Sequence, residues 1–180
     1  MTEANGILMD GYLEKAKEII ADCFVMDAHF DLAMDMDDRR ELGESRVYTG
    51  RHSEMVRAGG WNCLVSSIFI HSWQLPEMGL RKALDQISSL VSEEREQPDD
   101  IAICASMSDV KNANDSGRVG IMISLEGADP LGSDIRLLPV FYRLGVRALG
   151  LAWSRRNYAS DGCSFIAQRE GQKGGLTRFG

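Results

Sequence analysis

Short apolar runs alternate with amphipathic segments along most of this chain, and that alternation limits the possible folds more than any other feature. Strand-like runs cover residues 23–28, 62–70, 119–125 and 146–152, and helical spacing of apolar residues covers 7–22, 76–96 and 134–144. Strands that are almost continuously apolar are typical of parallel sheets whose two faces are both covered, with a helix crossing over between successive strands. The pattern therefore predicts an α/β fold, either a doubly wound sheet or a (β/α) barrel.

Three regions fit this alternation less well. Residues 101–104 form a brief apolar run, after which Ser108 is predicted to cap a short helix that ends at Gly117. The acidic run at residues 35–44 lacks the spacing and the glycine of a calcium loop, and we predict a solvated loop there. No further strand is predicted between Trp153 and Gly180, where glycines are mixed with charged residues.

Composition and charge exclude several classes of protein. The 180 residues include 20 Lys and Arg against 27 Asp and Glu, a net charge of −7, and the basic residues are scattered, so no nucleic acid partner is expected. No run approaches the roughly 18 apolar residues of a membrane span, and no signal segment opens the chain. We therefore expect a cytoplasmic protein that does not contact a membrane. The four cysteines contain no CxxC pair and are expected to be reduced.

Candidate metal ligands follow two of the predicted strands. Catalytic groups of parallel α/β folds lie past the carboxyl ends of the strands, which here selects Asp27, His29, Asp31, His71, Glu126 and residues 153–157. Three of these, His29, Asp31 and Glu126, are candidate metal ligands. His29 and Asp31 are two residues apart, so in extended backbone both side chains point to one face and can bind the same metal ion. Glu126 ends an apolar strand, where a divalent cation would offset the cost of burying its charge. The imidazole favours zinc over magnesium.

Simpler interpretations of the same residues stay open at this point. His29 is also compatible with a loop histidine and Asp31 with a cap for the segment that follows it. Glu126 is also compatible with an ion pair to Arg155 or Arg156, or with a position facing water.

One family shares this order of motifs. Asp27-Ala28-His29-Phe30-Asp31 resembles the D-x-H-x-D signature of the membrane dipeptidase (renal dipeptidase) family of zinc peptidases. Similar blocks follow in the family's order, at residues 57–60 (RAGG), 124–127 (SLEG), 144–149 (LGVRAL), 157–162 and 174–177 (GGLT). The resemblance implies a (β/α)8 TIM-type barrel, of which residues 1–180 supply roughly the first half as part of a single metal-dependent hydrolase domain.

The resemblance also implies a site and a reaction. His29 and Asp31 would ligate the first of two zinc ions, Glu126 would bridge both ions and so act in catalysis, and Asp27 would orient the ligands. A hydroxide between the two ions would attack the peptide carbonyl of a dipeptide. Trp153 takes the position of a histidine that contacts substrate in the family, and we expect it to contact the substrate through its indole.

The chain is about half as long as members of this family. His29, His52 and His71 are its only histidines, so the family's histidine ligands for the second zinc are absent. We therefore expect the chain to be inactive without the C-terminal half of the barrel, supplied as a separate chain or piece, and expect a homodimer by resemblance. Two alternatives are a catalytically silent barrel that binds small peptides and a metal amidohydrolase that acts on a non-peptide amide.

Overall fold

The computed structural model describes residues 3–167 and 173–180, with side chains described from residue 11 onward. The helices are α1 (Glu3–Ala21), α2 (Leu32–Glu41), α3 (Ser53–Ala58), α4 (Gly79–Glu96), α5 (Met107–Asp115) and α6 (Leu138–Arg143). The strands are β1 (Met26–Phe30), β2 (Cys63–Ile68), β3 (Ile101–Ile103), β4 (Val119–Glu126) and β5 (Val146–Gly150). Helices and strands thus alternate along the chain, as the apolar pattern predicted.

All strand pairs in the sheet are parallel. The order is β1-β2-β4, and β4 has two neighbours on its far side: β3 pairs with residues 119–121, and β5 pairs with residues 123–126. Apart from the short β3, the strand order follows the chain without the reversal that defines a doubly wound sheet. The predicted α/β fold is confirmed, and this order fits part of a barrel. Among the described residues β1 and β5 each pair with one strand, so both edges of the sheet are open.

The main core lies between one face of the sheet and helices α2, α3, α4 and α6. Alternate residues of β2 and β4 point into it, and each of the following is almost completely buried: Leu64, Ile68, Ile121, Ile123 and Leu125. On the opposite face a smaller cluster, which includes Cys63, Cys104 and Val110, covers the amino ends of the strands. Because this second cluster stops short of the carboxyl ends, the face that carries the candidate ligands stays open there.

The prediction of a loop at the acidic run is wrong, because most of it forms α2. Lys82 of α4 binds Asp37 at 2.6 Å and Glu41 at 2.7 Å, and Arg40 of α2 binds Glu93 at 2.5 Å and Glu96 at 2.7 Å. We call these six residues the charged α2–α4 interface. Counter-charges on α4 allow a segment with few apolar residues to pack as a helix.

Other differences concern the ends of elements. The cap of α5 is Ser106, whose hydroxyl accepts a hydrogen bond from the Asp109 N–H at 3.2 Å, and not Ser108. Residues 101–103 form β3, and the predicted helix over 134–144 is split into a 3-10 turn (Ile135–Leu137) and α6. The break fits Pro139 in the first turn of α6, since proline has no N–H to continue a preceding helix.

The last part of the chain contains no named strand in its described residues, as predicted. Ser160 and Leu176 form an isolated antiparallel bridge, and residues 168–172 lie outside the described part. In the part of the chain that the structure describes, no helix is both long enough and apolar enough to cross a membrane.

Candidate metal centre

The fold brings His29, Asp31 and Glu126 together, although Glu126 is almost a hundred positions further along the chain. β1 positions His29, and Asp31 follows the last residue of that strand, while β4 ends at Glu126. His29 Nε2 lies 3.2 Å from a Glu126 carboxylate oxygen and 3.6 Å from an Asp31 carboxylate oxygen. One potential ligand atom from each residue lies within 4.8 Å of the other two. These three residues are the ligand cluster.

Ser67 and Ser124 support this cluster from below. β2 lies between β1 and β4, and its Ser67 hydroxyl is 3.1 Å from His29 Nδ1 and 3.1 Å from the Ser124 hydroxyl of β4. Both serines are buried. Because the Ser67 hydroxyl hydrogen-bonds to Nδ1, the other ring nitrogen of His29, Nε2, faces the carboxylates of Asp31 and Glu126. A metal-binding histidine is usually held through its second nitrogen in this way.

Asp27 acts on His29 through the backbone. Its carboxylate accepts a hydrogen bond from the His29 N–H at 2.9 Å. The contact fixes the start of the His29-Phe30-Asp31 segment, where the ladder between β1 and β2 shifts register. Asp27 thus holds the main chain of His29 and not its imidazole.

Burial and charge distinguish Glu126 from the other two ligands. Its side chain is 16% exposed, whereas those of His29 and Asp31 are 54% and 57% exposed, so the cluster opens to solvent on one side. Burial raises the pKa of the Glu126 carboxyl above its ordinary value; the neighbouring Asp31 acts in the same direction, and His29 opposes the shift.

The alternative ion pairs for Glu126 are not formed. Arg155 is 3.4 Å from Asp129, and Arg156 is 2.6 Å from Asp161. In the described part of the chain, His29 is the only basic side chain that forms an ion pair with Glu126. The carboxylates of the cluster therefore lack a full compensating charge from the protein.

The donor set of the cluster fits a zinc ion. One imidazole nitrogen and two carboxylates are common zinc ligands, and three protein ligands leave room for a water molecule or substrate. The two carboxylates also balance the charge of a divalent cation. This fit rests on the chemistry of three side chains that the fold places together.

Trp153 lies outside the ligand cluster. It follows β5, is 54% exposed, and makes an edge contact with Phe69 at 5.4 Å between ring centroids. His71 lies just past β2 and is not a member of the cluster. A cavity of about 700 Å³ lies nearby, lined in part by Arg155 and Asp129, and none of the three ligands lines it.

Sequence reasoning missed two kinds of supporting residue. The sequence did not indicate that Ser67 and Ser124 hold His29 in place. Their alternation with apolar neighbours on buried strands does place them on the face of the sheet opposite the core. Arg155 was considered only as a partner of Glu126. Its guanidinium donates to the Ile70 carbonyl at 2.7 Å and so joins the loops after β2 and β5.

Fold and site together define the class of this protein: a parallel α/β protein with a candidate metal centre at the carboxyl ends of its strands. The family model described as "Membrane dipeptidase (Peptidase family M19)" matches residues 13–180, and the chain belongs to that family. The resemblance predicted from the motifs is thereby confirmed.

Solved structures give the same fold. A dipeptidase described as a family M19 metallopeptidase superposes with a TM-score of 0.68 at 23% identity, covering 77% of this chain and 45% of its own length. A metallopeptidase from Rhodobacter sphaeroides, liganded with a phosphinate mimic of the dipeptide L-Ala-D-Ala, gives 0.66 at 21% identity, covering 77% and 48%. An uncharacterized protein from Acinetobacter calcoaceticus is 36% identical over 55 residues, which is 31% of this chain and 18% of that protein. The chain thus spans less than half the length of these proteins.

Proposed function

We propose that this protein is a zinc-dependent dipeptidase whose metal ligands in this chain are His29, Asp31 and Glu126. The observation that carries the proposal is the convergence of their ligand atoms to within 4.8 Å at the carboxyl edge of the sheet. Membership of the membrane dipeptidase family supports the reaction class, since the matched region covers residues 13–180. The R. sphaeroides relative, solved with a dipeptide mimic, supports a dipeptide as the substrate.

Zinc at this cluster would supply Lewis acid chemistry that activates water and polarises the peptide carbonyl. The residues of this chain prepare the site for it. Ser67 holds Nδ1 of His29 and leaves Nε2 for the metal, and Asp27 holds the His29 main chain. Glu126 contributes a carboxylate with restricted access to water, which strengthens its interaction with a cation.

Trp153 is the proposed contact to the substrate. Its side chain is half exposed at the ligand-bearing edge, and its indole N–H is a hydrogen-bond donor suited to a carbonyl or carboxylate oxygen of a dipeptide. An indole carries no charge, so in this proposal Trp153 orients the substrate and does not stabilise an oxyanion by charge.

Several parts of the proposal depend on the rest of the barrel. A second zinc ion, a hydroxide bridging the two ions, and the bridging role of Glu126 stay predictions, because the described residues offer one ligand cluster. Four further points are also predictions: that residues 1–180 are one half of a single barrel domain, that a C-terminal half completes it, that the protein is a homodimer, and that it is cytoplasmic. The open edges at β1 and β5 are compatible with further strands on each side.

The direct test is dipeptide hydrolysis by the zinc-loaded protein with its barrel complete. We expect a chelator to abolish turnover and zinc to restore it. Glu126→Gln should lower turnover by more than about 100-fold, which is the upper range for losing a residue that only hydrogen-bonds to a metal ligand. Binding of dipeptides without turnover would support the silent relative instead. Turnover confined to non-peptide amides would support the amidohydrolase alternative.

A further inference from the structure

Four aromatic rings form a continuous row along the carboxyl edge of the sheet. Trp153 meets Phe69 at 5.4 Å, Phe69 meets His71 at 5.0 Å, and both contacts are edge-on with interplanar angles of 83°. His71 then stacks on Trp73 at 4.0 Å and 14°. The row runs from the end of β5 to the 3-10 turn after β2 (Ser72–Gln74). We call these four residues the aromatic wall.

The wall lies at the same edge of the sheet as the ligand cluster. Phe69 is two residues beyond Ser67, which touches His29, and alternation along an extended chain directs both side chains to the same side of the sheet. Trp153 follows β5, which pairs with β4 up to Glu126. The two strands that lead into the wall are therefore the two that flank the strand ending at Glu126.

The wall is held rigidly at its centre. The buried Gln86 side chain accepts a hydrogen bond from the Phe69 N–H at 3.2 Å and donates one to the Phe69 carbonyl at 2.6 Å. Arg155 lies over the Phe69 ring at 5.9 Å and donates to the Ile70 carbonyl. A surface fixed in advance loses little entropy when a ligand packs on it.

The outer members of the wall have large free faces. Trp73 is 77% exposed and Trp153 is 54% exposed, although each packs against an inner ring. Contiguous exposed aromatic surface beside a polar site is typical of ligand recognition. We propose that the aromatic wall receives an aromatic side chain of the substrate, so that the preferred dipeptides contain a residue such as phenylalanine. This inference rests on the proposed dipeptidase function.

The test compares Ala-Ala with Phe-Ala and Ala-Phe as substrates of the zinc-loaded protein with its barrel complete. We expect at least one of the phenylalanine dipeptides to exceed Ala-Ala in kcat/KM by about tenfold, the size of a few good aromatic contacts. Trp73→Ala should reduce that ratio to below about threefold, and Trp73→Phe should restore most of it. Tyr142→Ala removes an exposed aromatic ring on α6 and serves as the matched control, with no change in the ratio.

Binding of phosphinate dipeptide mimics that differ only in a methyl or a benzyl side chain should show the same ratio without turnover. Equal kcat/KM values for all three dipeptides, or a ratio that survives in Trp73→Ala, would overturn the role of the wall and leave the dipeptidase function intact. Turnover of none of the three dipeptides would contradict the proposed function itself, and the role of the wall would fall with it.

Discussion

The charged α2–α4 interface and the ligand cluster contain the same kinds of side chain, but they differ in how completely their charges are paired. At the interface Lys82 and Arg40 meet four carboxylates at 2.5–2.7 Å. At the ligand cluster the two carboxylates of Asp31 and Glu126 face one histidine, at 3.2–3.6 Å. Removing one partner from a buried, paired cluster destabilises the fold, whereas an incompletely paired cluster is suited to binding a cation.

The largest expected effect is on the paired cluster. Glu93→Ala should lower the free energy of unfolding by about 3 kcal/mol, because the Tyr48 N–H loses its buried acceptor and the Arg40 charge keeps only the more exposed Glu96 as a partner. Chemical denaturation measures this change. Asp115→Ala is the control, since the Asp115–Lys111 pair is largely exposed and should contribute no more than about 0.5 kcal/mol. Similar losses in both variants would show that the interface is not specially stabilising.

A smaller effect is expected from Ser67, which holds His29 of the ligand cluster. Ser67→Ala should weaken zinc binding by about tenfold to 100-fold, because the imidazole of His29 loses the hydrogen bond at Nδ1. Titration with zinc in competition with a chelator measures the affinity. Ser66→Ala is the matched control: its hydroxyl accepts a hydrogen bond from the Ala33 N–H on the opposite face, so stability should fall while zinc affinity does not change. An unchanged affinity in Ser67→Ala would contradict the supporting role.

The pH dependence of stability separates the two clusters further. Hydrogen bonding to Arg40 lowers the pKa of Glu96 below its ordinary value of 4.5. The contribution of this pair to stability is therefore present above pH 4.5 and is lost as the pH falls through the lower, folded-state pKa. Glu96→Gln should cost roughly 0.5–1 kcal/mol at neutral pH and about nothing near pH 3. A cost that persists in acid would mean that the carboxylate charge is not what stabilises the contact.

The smallest effect on stability is expected within the ligand cluster. Glu126→Gln should leave the free energy of unfolding of the zinc-free protein unchanged or raise it by up to about 1 kcal/mol, since it removes a partly buried charge beside Asp31. The same substitution should remove most of the stabilisation that zinc provides to the unmodified protein. A clear loss of stability without zinc would show that Glu126 is a structural residue, as Glu93 is.

The sequence was most informative where one residue type stands out from its surroundings. Glu126 closes a strand of apolar residues, and His29 and Asp31 have the two-residue spacing of metal ligands, so each could be selected without a structure. Their convergence could not be predicted from spacing, because it depends on β2 lying between β1 and β4.

The missed features depend on partners that are distant in the chain. α2 has few apolar residues, and its charged partners on α4 lie 41 to 56 positions away, so its composition resembled that of a loop. Ser67 is a small polar residue on a buried strand, which is compatible with many roles until its neighbour is known. The same limit applies to Arg155. It pairs with Asp129 and not with Glu126 because of how the loops after β2, β4 and β5 are arranged.

The central claim is that His29, Asp31 and Glu126 bind a metal ion, and elemental analysis of the zinc-equilibrated protein tests it most directly. We expect bound zinc in the unmodified protein, a sharp loss in both His29→Ala and Glu126→Ala, and full retention in His71→Ala, which removes a histidine from the same edge but outside the cluster. Folded protein that binds no zinc, or equal zinc in His29→Ala and His71→Ala, would contradict the claim.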